Sequence, residues 1–250
     1  MSVNSSNNIH RRSTYQAIGR AFGYAVWVSL VFIIVQLIVV GLVKLLAVVG
    51  VTLALTTPVL LALNTLIYAL SFVVVVSMPL LVKGSKQWPK LEFFGLQRLA
   101  SWSDIGLALL GVIPYIVLSL FFVQLATLFP GFDAMQKQAI GFTGSDRNNA
   151  MLAFIALVVV APLAEEVLFR GYLFSKLRSN VGVIAAIILT SITFAALHMQ
   201  WNVAMDTLAL SLVLCTLRVV TGSIWAGVIL HMIKNSIAFF VLFMAPNLIH

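Results

Sequence analysis

Charge is scarce in this 250-residue sequence: only 9% of its residues are Asp, Glu, Lys or Arg, against about a quarter in ordinary soluble domains. Fifteen basic and seven acidic side chains cannot cover a 250-residue chain with a polar surface, which excludes a soluble enzyme and a disordered protein. Cysteine is scarcer still, and the single Cys215 excludes an intrachain disulfide and a Cys-rich metal site. What is abundant is apolar: 62% of residues are hydrophobic and mean hydropathy is +1.10. A net charge of +8 would suggest nucleic acid as the partner of a soluble protein. Here the basic residues fall in short segments between apolar runs. The partners expected are therefore membrane lipids and a membrane-associated protein or peptide, with no nucleic acid.

A hydrocarbon core of about 30 Å takes about 20 apolar residues as helix. That ruler marks Ala21–Val43, Val59–Val82, Ile105–Phe129, Ala150–Phe169, Val181–Met199, Val203–Leu217 and Ile224–Ala245, the sixth being the shortest. The runs lack the alternation of barrel strands. The expected fold is all-α, a polytopic transmembrane bundle of about seven spans. Residues 1–20 form an N-terminal tail, its first eight residues unstructured, 21–149 the N-terminal helices and 150–250 a C-terminal core. A short interfacial helix is expected at Asp133–Phe142. Basic residues occupy every second connection: Arg11, Arg12 and Arg20, then Lys83, Lys86, Lys90 and Arg98, then Lys176 and Arg178, then Arg218. That alternation puts the N-terminus in the cytoplasm.

Two of the seven acids, Glu165 and Glu166, lie in or just under the fourth span. A charge at the bilayer centre costs at least ~3 kcal/mol on insertion scales, so such residues face a cavity or a partner. Glu166 and Arg170 are i,i+4 and can pair. Consecutive helix residues diverge by about 100°, which leaves Glu165 to point elsewhere. His198 ends the fifth run and His231 sits in the seventh, with Asn235 one turn on and Gly227 one turn before, where a second helix can approach. Glu165 lies 16 residues before Val181 and His198 lies 17 after it. In an antiparallel hairpin that places both at one depth, provided the turn overhangs the membrane surface. Asp206 reads as interfacial, Lys234 as lining a cavity or snorkelling, and Arg218 as a topology anchor. A carboxylate, two imidazoles and an amide suit hydrolysis by an activated water with an oxyanion stabiliser. Glu165, His198 and His231 also equal a common catalytic zinc set. The divergence of Glu166 leaves no spare base in that version, which favours the metal-free one.

Glu165-Glu166-x-x-x-Arg170, Phe194-x-x-x-His198 and His231-x-x-x-Asn235, in that order on separate apolar helices, resemble the CPBP family. That family includes the type II CAAX prenyl endopeptidases and the bacterial Abi proteins. The resemblance covers about Met151–Asn235 and implies an intramembrane endopeptidase in a bacterial plasma membrane. It implies Glu165 as general base with His198 helping to activate water. His231 and Asn235 would bind the oxyanion, and Glu166 and Arg170 would support them. Some relatives are labelled metalloproteases, so zinc on Glu165, His198 and His231 is the alternative cofactor reading. The rival functions are a non-catalytic bacteriocin-immunity or scaffold protein and a proton-coupled transporter; no internal repeat supports the latter.

Overall fold

The computed structural model describes residues 3–82, 84, 87–134, 136 and 146–244. Among these the secondary structure is helical, without strands. Helices α1 (Val3–Val48), α2 (Thr57–Val82) and α3 (Trp102–Ala126) are followed by a continuous helical rod, Arg147–Val181. The rod alternates α-helical parts α4 (Arg147–Phe154), α5 (Ala161–Glu165) and α6 (Phe174–Val181) with π-helical segments Ile155–Val160 and Glu166–Leu173. Then come α7 (Val183–Ala196), α8 (Trp201–Thr221) and α9 (Trp225–Phe239). Among the described residues, six helices are long and apolar enough to cross a membrane. On α3, Leu109, Leu110, Ile113, Val117 and Leu120 are all exposed. Such a face is tolerable only in hydrocarbon, since soluble monomers rarely expose large contiguous apolar patches. The chain is an integral, multi-pass membrane protein.

The element lengths depart from the apolar ruler at three places. The fifth run yields the short helix: α7 has 14 residues, about 21 Å at 1.5 Å per residue, less than the hydrocarbon core. It ends where Met199 takes φ 56°, a left-handed value uncommon outside glycine, directly after His198. The sixth run, read as the shortest, becomes the 21-residue α8, because the helix continues through polar ends that hydropathy excluded, Trp201-Asn202 and Arg218–Thr221. At the N-terminus, α1 is already helical from Val3, so residues 3–8 extend the first span instead of forming an unstructured lead. The rod of 35 residues is about 52 Å long, against a hydrocarbon core of about 30 Å. Gly182, at φ 81°, makes the turn from α6 to α7 that a residue with a Cβ would resist. The expected interfacial helix at Asp133–Phe142 falls mostly outside the described residues, as do Lys83 and Lys86.

The basic connections meet at one end of the bundle. Arg20 of α1 donates Nε to Asn180 at the α6–α7 turn, 2.9 Å. The α2–α3 connection touches that region through Ser175 Oγ donating to the Phe93 carbonyl, 2.9 Å. It also touches the α8–α9 turn: Ser223 Oγ donates to the Gly95 carbonyl (2.9 Å) and Trp225 Nε1 to that of Arg98 (2.7 Å). Arg218, read as a simple anchor, is largely buried, its guanidinium pressed against Gly95. Asp104 starts α3, accepting from Ser101 N (2.8 Å) and from both terminal nitrogens of Arg98.

Candidate active site

Glu165 is the last residue of α5 and Glu166 the first of the second π segment. Pro162 shapes the approach to them. In the first π segment Ala161 N–H bonds the Ala156 carbonyl, five residues back. The next bond of that register would run from residue 162 to Leu157, and proline has no N–H to give. The side chain of Asn235 supplies the missing donor, Nδ2 to the Leu157 carbonyl at 2.8 Å. A π segment inside an α-helix is a recurrent feature of functional sites. Here one precedes Glu165 by a turn and the other contains Glu166 and Arg170.

Glu166 is fully buried. Its Oε1 accepts from Arg170 Nη1 (2.9 Å) and from His231 Nδ1 (3.1 Å). Its Oε2 lies against Gly227 of α9, where a Cβ would come within 2.9 Å of it. The close approach expected at Gly227 is therefore made by the Glu166 carboxylate rather than by a helix backbone. Arg170 is also fully buried, with its guanidinium 4.4 Å from the centre of the Phe194 ring. Glu165 points the other way, as consecutive helix residues must. Its Oε1 accepts from the Tyr68 hydroxyl at 2.5 Å, and its Oε2 lies 3.7 Å from His231 Nε2. The two carboxylates thus share no point in space but do share a residue. An imidazole carries its nitrogens on different edges, so diverging side chains bracket it, Glu166 at Nδ1 and Glu165 at Nε2.

His198 and His231 flank one aromatic ring, with centroids 4.9 and 6.0 Å from that of Phe194. The Nδ1 of His198 is 2.9 Å from the Phe194 carbonyl. A carbonyl can only accept, so that nitrogen carries the proton and Nε2 is left to the cavity. The candidates on three separate stretches of sequence therefore come together: Glu165, Glu166 and Arg170 from the rod, His198 from the end of α7, His231 from α9. Asn235 stands one turn after His231 on α9, with one amide N–H spent on Leu157.

Two polar groups escaped the sequence reading. Tyr68 lies in the apolar run of α2, and the only sequence signal was a phenol whose hydroxyl needs a partner when buried. The second is a junction around Asp206. Read as interfacial, Asp206 instead ties three helices together, accepting from Tyr115 and Ser119 of α3, both at 2.7 Å, and pairing with Lys234 of α9 at 3.1 Å. A carboxylate at a helix start looks interfacial from sequence, and only the packing of α3 against α8 encloses it.

Among the described residues, no three His, Cys, Asp or Glu side chains converge closely enough to hold a metal ion. His231 has Nδ1 engaged by Glu166 and Glu165 has Oε1 engaged by Tyr68, which leaves His231 Nε2 and Glu165 Oε2 3.7 Å apart. Residues 147–237 match the family model for "Type II CAAX prenyl endopeptidase Rce1-like". This segment is similar to the CAAX-protease family. The class of enzyme is thereby a membrane protease, a hydrolase of peptide bonds. The match starts at the first residue of α4 and ends two residues past Asn235, so it contains every motif residue, while Tyr68 and the rest of α1–α3 lie outside it. Comparison with curated proteins and with solved structures gave no match.

Proposed function

We propose that the protein hydrolyses a peptide bond within a membrane-associated or lipidated protein or peptide, with Glu165 as the general base. The observation that carries this reading is the unequal treatment of the two Glu165 oxygens. Tyr68 fixes Oε1, while Oε2 stands 3.7 Å from His231 Nε2, too far for a hydrogen bond, so neither group is used up. A water held by Oε2 and by Nε2 of His198 gives its proton to Glu165 as its oxygen adds to the scissile carbonyl. The oxyanion that forms accepts from His231 Nε2–H and from the second amide N–H of Asn235. His231 must then be an imidazolium, because Nδ1–H already serves Glu166, and the two flanking carboxylates compensate that charge. Collapse of the intermediate breaks the C–N bond, and the leaving amine takes the proton from Glu165.

The test is a peptidase assay on the purified full chain with a peptide library, with and without a chelator. The expected outcome is cleavage that Glu165→Gln abolishes and that chelation leaves intact, with no stoichiometric zinc on metal analysis. Bound zinc, with activity lost on chelation and restored by zinc alone, would overturn the glutamate-base assignment. Failure to cleave any peptide while still binding some would favour an immunity or scaffold role.

A further inference from the structure

An apolar groove of about 610 Å³ runs between α1 and α7, outside the cluster just described. Ala17, Ala21 and Ala25 of α1 and Ala185 and Ile188 of α7 line it. Exposed Ile18, Phe22 and Ile184 border it, so it lies on the hydrocarbon-facing surface. Its far end reaches Asn180, at the end of the bundle where the basic connections gather. There Arg20 donates Nε to Asn180, and Lys176, one turn earlier on α6, holds its Nζ among three aromatic rings, 5.0 Å from the centre of Phe93 and 5.6 Å from those of Tyr24 and Tyr172. Neither cation belongs to an ion pair among the described residues. A guanidinium has five N–H groups in a fork that fits phosphate, and among the described residues one of those of Arg20 is engaged, by Asn180.

We propose that this groove is a binding site for one acidic phospholipid, with an acyl chain along Ala21, Ala25 and Ile188 and the headgroup phosphate on Arg20 and Lys176. The two halves of the site demand the two halves of that ligand. Unpaired cations beside a bilayer surface attract anionic headgroups, and a free anion has no use for the apolar groove below them. The occupant joins α1, which lies outside the matched core, to the hairpin of the rod and α7, with Glu165 farther along the rod and His198 just past the end of α7.

The test reads lipid retention by native mass spectrometry on the full chain purified in mild detergent, with phosphatidylglycerol or phosphatidylcholine of identical chains. Peptidase activity is not needed, so the outcome stands apart from the reading of the active site. The wild type is expected to retain one phosphatidylglycerol in preference to phosphatidylcholine. Arg20→Gln should lower that preference about fivefold, the worth of one cation near an acidic surface, and Arg20→Lys should keep most of it. Ala25→Phe, which fills the groove, should remove retention of both lipids, and Ala185→Phe fills it from the other wall if the first variant does not fold. Equal retention of the two lipids by the wild type, or an unchanged preference in Arg20→Gln, overturns the headgroup seat. Unchanged retention in a folded groove-filling variant overturns the groove.

Discussion

One oxygen of Glu166 receives both Arg170 and His231, at 2.9 and 3.1 Å, in a place without solvent. Removing its charge leaves a buried guanidinium unpaired, and breaking a buried pair from one side costs about 3 kcal/mol or more. Glu166→Gln is thus expected to lower the unfolding temperature in detergent and to weaken hydrolysis, by loosening His231. Glu165→Gln keeps its Tyr68 contact as a neutral hydrogen bond and should unfold like the wild type while losing hydrolysis. Hydrolysis that survives Glu165→Gln but not Glu166→Gln would reverse the two roles. In the proposed mechanism Tyr68 orients Glu165 through its hydroxyl. A hydrogen bond to a charged group is worth about 1.5 kcal/mol or more, so Tyr68→Phe should lower kcat about tenfold or more with KM little changed. A parallel rise in KM would point instead to a collapse of the cavity wall.

Within the rod, the π register and Pro162 leave the Leu157 carbonyl without its backbone donor, and Asn235 replaces it. This gives Asn235 a structural duty besides the proposed catalytic one, and the two are separable. Asn235→Ala should reduce both stability and turnover, the latter by about a hundredfold if its second N–H serves the oxyanion. Pro162→Ala on that background restores a backbone N–H for Leu157. The double variant is expected to regain thermal stability but not turnover. Recovery of both would show that Asn235 acts only through the helix it braces. The same logic of an element tied by one polar group holds for α3, α8 and α9 at Asp206, where three donors saturate one carboxylate in an otherwise apolar interface.

Across the whole molecule, the N-terminal helix, the α2–α3 connection, the α6–α7 turn and the α8–α9 turn share one end, and their basic residues share it with them. We place that end in the cytoplasm by the positive-inside rule. Ser179, at the α6–α7 turn, and Thr52, in the connection after α1, then lie on opposite sides of the membrane, and both are exposed. In cells, a membrane-impermeant thiol reagent should label Thr52→Cys directly and Ser179→Cys only after permeabilisation. The native Cys215 is buried and should stay silent. The opposite pattern would invert the topology and place the substrate-facing side of the cavity outside.

The all-helical membrane class, the grouping of basic connections and the Glu166–Arg170 pair were legible in the sequence. Each depends on quantities a linear pattern carries: apolar length, charge position and i,i+4 spacing. The ordered trio of motifs singled out Glu165, His198, His231 and Asn235 as candidates, and the fold brings Glu165 and His231 to within 3.7 Å. Contacts between distant segments were not legible. Tyr68 is 97 residues from Glu165 and Lys234 is 28 from Asp206 in sequence, and nothing in either local pattern names the other. Nor could the 100° rule of a regular helix anticipate two π segments, or show that two diverging carboxylates would find the two nitrogens of one histidine. Helix boundaries shifted for a related reason. Hydropathy reads solvent preference, whereas α7 stops and α8 continues where backbone geometry and tertiary hydrogen bonds decide, and those exist only once the helices are packed.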